Sequence, residues 1–189
     1  MGRVSTPWDE TTRPTAGADG EPIPAPRGAS AGRHLLDVHD HYRAELGRLR
    51  DVLDQVRAGT VDAAAARSEV NAMAVRSNTW VLGSVCQSYC LALTQHHTME
   101  DLGVVPHLGS QDSGLRAVLD RLGAEHRAIH DLLESVDAAL VDLVRTPEDL
   151  TAVEDAVDAL TEALLSHFAY EERELVGPLG QHGFYAGQL

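Results

Sequence analysis

The chain has 189 residues, a formal net charge of −14 at pH 7 and no lysine. That length accommodates one domain with a hydrophobic core, and the strongly acidic balance argues against nucleic acids and anionic membranes as partners. Aromatic residues make up only 4% of the chain, and the dominance of Ala, Leu, Glu and Arg favours helices over strands. No apolar run is long enough for a signal peptide or a membrane span, so we expect a soluble cytoplasmic protein.

The first 32 residues differ in composition from the rest of the chain. They contain five of the eight prolines and five of the 16 glycines, and they show no hydrophobic periodicity. This composition predicts a disordered Pro/Gly-rich tail over residues 1–32, with Trp8 as its one large apolar anchor. Residues 33–189 are predicted to form the folded domain.

Turn signals divide that domain into four segments with helical periodicity. The second segment is predicted to end before Pro106 and the fourth before Pro178, while Thr146 is predicted to cap the fourth helix ahead of a proline. The segments span about residues 33–58, 62–104, 112–145 and 147–176. Four helices with short links predict an all-α fold, an antiparallel up-down four-helix bundle.

Histidines recur on the apolar stripes of the first two helices. Residues three, four and seven apart share a helix face, and by that measure His39 lies near the centre of the first stripe whereas His41 lies well off it. In the second helix His96 and Glu100 lie in line with the apolar residues. His97 and Asp101 fall at the edge of the same stripe, so we expect them to contact the ligands rather than to bind metal.

The third and fourth helices repeat this arrangement. His126 is central on the third stripe and His130 lies close to it, while His167 and Glu171 align on the fourth. Glu172 and Tyr170 project to opposite flanks of the fourth stripe. A His-x-x-x-Glu motif in line with the apolar residues therefore occurs on the second and the fourth helix, each time one helix after an inward histidine, and the two helix pairs form a weak internal repeat.

Burying so many imidazoles and two carboxylates without compensation would consume the stability of a domain of this size. Any single one of these histidines is more simply a hydrogen-bonded core residue, but the set favours a metal centre, since imidazole and carboxylate are ligands for iron, zinc, copper or manganese. Neither Glu-x-x-His nor HExxH occurs, which argues against ferritin-like and zincin sites. The predicted ligands are His39, His96, Glu100, His126, His130, His167 and Glu171.

The motifs VHDHYRAEL, QHHTMEDLGVVPHL, EHRAIHDLL and SHFAYEERELVGPL together resemble the hemerythrin family, the HHE cation-binding four-helix bundles, over about residues 33–180. The resemblance implies two non-haem iron ions (Fe2+/Fe3+) joined by an oxo or hydroxo bridge and two carboxylates, held by the seven residues just named. Classical oxygen carriers of the family have an aspartate five residues after the last histidine. Here that position is Glu172, so Glu171 is the first choice as bridging ligand and Glu172 the second.

The resemblance also implies an open coordination position for dioxygen, peroxide or nitric oxide. We expect reversible dioxygen binding or sensing. An enzyme that decomposes peroxide or nitric oxide is the alternative, with His97, Tyr170 or Glu172 as proton donor, and iron storage or sensing, with the tail binding a partner protein, is a third. A bundle that holds no metal and serves only in protein interaction is the structural alternative. Whether His130, Glu172, His41, Tyr42 or Tyr170 binds metal stays open at this point.

Overall fold

The computed structural model describes residues 6–16, 28–58, 89–145 and 150–184, and all regular secondary structure within them is helical. Four long helices are consistent with the predicted bundle. Helix α1 is Gly28–Arg57 and helix α2 comprises α-helical residues 89–99, a π-helical turn Glu100–Val104 and α-helical Val105–Gln111; α3 is Arg116–Arg145 and α4 is Thr151–His182. Short 3-10 turns lie at Glu10–Thr12 and Ser113–Leu115. None of these described helices has the length and hydrophobicity needed to span a bilayer.

Two prolines do not end their helices as the sequence predicted. Helix α2 continues through Pro106 to residue 111, and α4 continues through Pro178 to residue 182. A proline inside a helix removes one backbone hydrogen bond without forbidding continuation, and the π turn just before Pro106 has already changed the local bonding pattern. The predicted helical residues 62–88 and the predicted cap at position 146 lie outside the described residues.

Local signals explain two further boundaries of the helices. The Asp112 side chain accepts a hydrogen bond of 2.8 Å from the Gly114 backbone N–H and so caps the 3-10 turn that leads into α3. At the far end of α4, Gly183 adopts a φ of 70° and its N–H bonds to the carbonyl of Leu179. That left-handed backbone suits glycine, which explains why α4 ends there.

The apolar stripes pack into two buried clusters. The first core cluster includes Tyr42, Leu46, Leu49, Leu93, Ile129, Leu133, Leu160, Leu164 and Phe168. The second core cluster includes Leu35, Leu108, Leu115, Leu119, Leu122, Tyr170, Leu175 and Leu179. Along α1, His39 falls between members of the two clusters, and along α3 His126 does the same. His39 and His126 therefore lie in a polar layer between the two hydrophobic clusters.

The N-terminal region differs from the predicted tail in the part that is described. Residues 6–16, which we call the N-terminal strap, pack against α3 and α4, and α1 already begins at Gly28. Trp8 donates from its indole Nε1 to the Ser166 hydroxyl at 3.4 Å, and the Tyr170 hydroxyl donates to the carbonyl of Pro14 at 2.8 Å. These long-range contacts order a stretch whose local composition alone favours disorder.

Candidate metal centre

One group of potential metal ligands is formed by His39 on α1, His96 and Glu100 on α2, and Glu171 on α4. One ligand atom from each of the four lies within 4.8 Å of the others. The Nε2 atoms of His39 and His96 are 3.3 Å apart, and the ring of His39 stacks on Phe168 at a centroid distance of 4.2 Å. Three helices thus bring two imidazoles and two carboxylates to one point.

A second group lies beside the first and consists of His97, His126 and His167, all buried, with ligand atoms again within 4.8 Å of one another. His97 stacks almost parallel on His126, with centroids 4.2 Å apart and an interplanar angle of 8°. His167 stands edge-on to both rings, at centroid distances of 5.3 Å and 4.9 Å. This group joins α2, α3 and α4 through three imidazoles.

Glu100 and Glu171 connect the two groups. One oxygen of Glu100 is 3.2 Å from Nε2 of His96, and its other oxygen is 3.6 Å from Nε2 of His126. For Glu171, Oε2 lies 3.4 Å from Nε2 of His39 and 3.5 Å from Nε2 of His167. Each carboxylate therefore faces one histidine from each group, which is the placement that a bridge between two metal ions requires.

The outward nitrogens of three histidines contact further carboxylates, in the pattern common around metal sites. Nδ1 of His39 is 2.9 Å from Oε1 of Glu172. Nδ1 of His126 is 2.8 Å from Oδ1 of Asp101. His167 makes the third contact, with Glu125, at 3.1 Å. Because the outward nitrogen donates to a carboxylate, Nε2 of each ring is the free, ligand-competent atom.

Burial perturbs the ionisation of these groups strongly. Burial lowers the pKa of His96 to about 3, and it lowers the pKa of His97 well below the usual value with help from the neighbouring imidazoles. Both rings are therefore neutral at pH 7, the form that binds metal. The pKa of Glu100 is raised well above its usual value, because the carboxyl is buried and lies close to Glu171.

Glu171 shifts in the opposite direction. Burial alone would raise its pKa, but the contacts of its carboxylate with the imidazoles of His39 and His167 outweigh that effect and lower the pKa to about 2. In the metal-free protein the pair of carboxylates therefore favours one ionised and one protonated member. A bound cation would favour the ionised form of both.

The donor set fits metal ions better than a polar core. In the described part of the chain, the buried atoms that lack a hydrogen-bond partner include Nε2 of His97, His126 and His167, both oxygens of Glu100 and Oε2 of Glu171. Each such group costs about 1–3 kcal/mol when it is left unsatisfied. All of these atoms belong to the two groups above; among the described residues the one other such atom is the hydroxyl oxygen of Tyr89, in the first core cluster. Nitrogen and carboxylate oxygen are donors that iron and other first-row transition metals accept.

A cavity of about 660 Å³ opens beside this centre, between α1 and α2. Its walls are largely apolar and include Leu35, Val38 and Met99, while His96 and Glu100 line it from the side of the metal centre. The cavity gives a small, weakly polar molecule a path to the first group of ligands.

Six of the seven ligands predicted from sequence are brought together here, and His130 is not among them. The side chain of His130 is 56% exposed and lies 3.5 Å from Glu134 on the same helix. His41 is exposed as well, and its ring is tilted by 58° to that of Tyr42 at a centroid distance of 6.0 Å. The Tyr42 hydroxyl donates to the carbonyl of Ala92 at 2.9 Å, so its proton is already engaged.

Two residues of the centre were not assigned to these places from sequence. His97 was expected beside the ligands, yet it lies among them and its Nε2 has no partner. Glu125 contacts Nδ1 of His167. The sequence gives one indication of this role, since Glu125 directly precedes His126 in EHRAIH. Glu125 is 1% exposed, and its pKa falls to about 2, because hydrogen bonds from His167, Arg13 and Arg121 outweigh the opposing effect of burial.

Comparison with known proteins gives one family. The model of the hemerythrin HHE cation binding domain matches residues 30–179. No curated protein and no solved structure matches the chain.

Proposed function

Because the chain belongs to the hemerythrin HHE cation-binding domain family, we propose that it holds two non-haem iron ions and uses them to bind dioxygen. The observation that carries the proposal is the placement of Glu100 and Glu171 between two adjacent groups of histidines. Cation binding follows from the family and the donor set. Iron as the metal, its number and the oxo or hydroxo bridge are part of the proposal.

In the proposed centre the histidines divide three to two between the metal positions. His97, His126 and His167 would hold one ion, His39 and His96 would hold the other, and Glu100 and Glu171 would be within reach of both. His97 thus takes the place that the sequence assigned to His130. The position with two histidines is the less crowded one and is next to the cavity that His96 and Glu100 line, so the small-molecule ligand is expected to enter there.

When bound, two iron ions would supply the electrons that reversible dioxygen binding needs. The protein's own groups do the rest: Phe168 and Tyr42 cover His39 and His96 with apolar ring surface and limit access of water. Glu172, Asp101 and Glu125 hold the ligand rings in orientation. Exclusion of water from the site favours reversible binding of dioxygen over side reactions that would consume it.

The alternative function, decomposition of peroxide or nitric oxide, needs a route for protons. Glu172 is 20% exposed, contacts Nδ1 of His39 at 2.9 Å and pairs with Arg43 at 2.7 Å. It therefore links solvent to a ligand of the centre and is the best placed of the three donors named from sequence. Tyr170 donates to Pro14 instead, and His97 lies within the second group.

We also propose the antiparallel, up-down arrangement of the helices. Its support comes from α1 and α4, where ion pairs join residue 39 to 172, 50 to 158 and 57 to 154. Residue numbers rise along one helix as they fall along the other. The cytoplasmic location, and the absence of nucleic-acid or membrane partners, stay predictions from charge and composition.

The test is to measure iron per chain together with the visible spectrum of reduced protein before and after exposure to air, and then after peroxide. We expect about two iron ions per chain and a new charge-transfer band in air. A stable band that disappears on removal of oxygen supports binding, whereas rapid gas release from peroxide supports the enzyme. Less than about one iron per chain without such a band contradicts the proposal.

A further inference from the structure

The N-terminal strap reaches the metal centre through one buried arginine. Arg13 is only 6% exposed and lies between two aromatic rings, with its guanidinium carbon 5.4 Å from the centroid of Trp8 and 4.6 Å from that of Tyr170. The backbone N–H of Ala16 adds a 2.6 Å hydrogen bond to Glu174 on α4. The strap is therefore held at Trp8, which bonds to Ser166, and at Ala16, with Arg13 between these two points.

The guanidinium of Arg13 makes a bidentate interaction with the carboxylate of Glu125. Its Nε donates to Oε1 and its Nη2 to Oε2, each at 2.8 Å. Arg121 on α3 donates to the same Oε1 at 2.8 Å. Since two parallel bonds fix the plane of a carboxylate as well as its position, Glu125 has one orientation available to it.

The oxygen that Arg13 holds through Nη2 is also the one that His167 contacts. Oε2 of Glu125 accepts from Nδ1 of His167 at 3.1 Å. With the carboxylate ionised, Nδ1 must carry the proton, so the lone pair of Nε2 faces Glu171 and the proposed metal position. Arg13, Glu125 and His167 form a continuous chain from the strap to the centre, in which no side chain is more than 6% exposed.

We propose that Arg13 is a positioning residue for the metal centre: through Glu125 it fixes the tautomer and the ring orientation in which His167 presents Nε2. The inference rests on the proposed role of His167 as a ligand. Without Arg13, Glu125 would keep Arg121 on one oxygen and lose the partner that shares Oε2 with His167. The ring could then rotate or change tautomer, and the site would bind metal more weakly.

The test compares Arg13→Met with Arg13→Lys, which keeps the charge but loses the second arm. Arg173→Met is the matched control, because Arg173 also lies over the Tyr170 ring, at 5.2 Å, yet is 58% exposed and contacts Glu174 rather than Glu125. The first readout is the tautomer of His167 in metal-free protein, from long-range proton–nitrogen NMR spectra of the imidazoles, with the signal assigned by His167→Gln. The second is the dissociation constant for ferrous iron.

We expect the Nδ1–H tautomer of His167 in the original protein and in Arg173→Met, and a mixture of tautomers in Arg13→Met. Iron should bind about 10–100-fold more weakly to Arg13→Met, with Arg13→Lys between the two. If Arg13→Met melts at a lower temperature but keeps the tautomer and the affinity, the residue is only structural and the proposal is overturned. Should the original protein bind no iron, the proposed function fails, while the tautomer spectra still decide whether Arg13 orients His167.

Discussion

Three histidines of the centre each give one ring nitrogen to a carboxylate, and this contact determines which nitrogen is left for a metal ion. Glu172, Asp101 and Glu125 come from different helices and differ in exposure, from 43% for Asp101 to 1% for Glu125. The buried contact needs added positive charge, which Arg13 and Arg121 provide. An exposed carboxylate such as Asp101 is stabilised by water and needs no such partner.

A pair of matched variants tests which of two histidines completes the centre. We expect His97→Ala to lose about half of the bound iron, or to weaken its binding about 10–100-fold, because His97 is one of three imidazoles in the second group. We expect His130→Ala to retain its iron, because its side chain is exposed and lies outside both groups. Iron per chain and a competition titration with a chelator measure both. Iron loss in His130→Ala with full occupancy in His97→Ala would reverse the assignment.

At the scale of the helices, the π turn of α2 stands out because it begins at a proposed ligand. Val105 N–H bonds to the carbonyl of Glu100, five residues back. The wider turn inserts one extra residue into α2 where the helix passes from the polar layer to the second core cluster. In that cluster Leu108 is fully buried. Such turns are frequent at functional sites, since they change the phase of a helix without ending it.

The contact between α1 and α4 gives a second helix-scale prediction. A Cβ added at Gly32 would lie 2.9 Å from the carbonyl oxygen of Val176, a backbone atom that cannot move aside cheaply. Gly32→Ala should therefore lower the free energy of unfolding by about 1–3 kcal/mol through overpacking. Gly47→Ala is the control: a Cβ there meets nothing within 4 Å, and alanine should raise the stability by roughly 0.5–1 kcal/mol. Urea unfolding of metal-free protein measures both, and equal effects at the two sites would refute the close contact.

Helical phase predicts which face of each helix is buried. It does not predict the exposure of residues at the edge of that face, which depends on how the neighbouring helices pack. The 3.6-residue period locates His39, His96, His126 and His167 correctly on inward faces, because each helix buries one stripe. Phase on a single helix does not reveal which flank of that stripe its neighbours will cover. His97 is covered by His126 across the α2–α3 contact, while His130, one turn beyond His126, is left in solvent.

The strap shows a second kind of limit. Proline and glycine content describe local preferences, and by that measure residues 6–16 belong to a tail. Arg13 and Glu125 are 112 positions apart in sequence, and a single sequence does not reveal such a pairing. Neither partner is unusual locally, so the order of the strap follows from tertiary contacts alone.

For the whole molecule, the polar layer between the two core clusters ties folding to metal binding. Along α1 and α3, residues of the second core cluster come before this layer in the sequence and residues of the first core cluster come after it. Along α4 the order is the opposite. The unsatisfied atoms of Glu100, Glu171 and three histidines all lie within the layer. In the metal-free fold these unpartnered atoms therefore reduce the free energy of unfolding that the packing of the two clusters provides.

Removing metal should consequently lower the stability of the whole domain rather than of one helix. A ligand that binds only the folded state adds about 2.7 kcal/mol when its concentration is 100 times the dissociation constant, and for a chain of this size that is a rise of roughly 5–10 °C in the melting temperature. Calorimetry of iron-loaded and chelator-treated protein under anaerobic conditions measures the difference.

Glu100→Gln is the control, because Glu100 contacts histidines of both groups and its loss should make the melting temperature largely independent of iron. Equal melting temperatures for loaded and stripped protein would show that the polar layer is stable by itself and would remove the energetic argument for a metal centre.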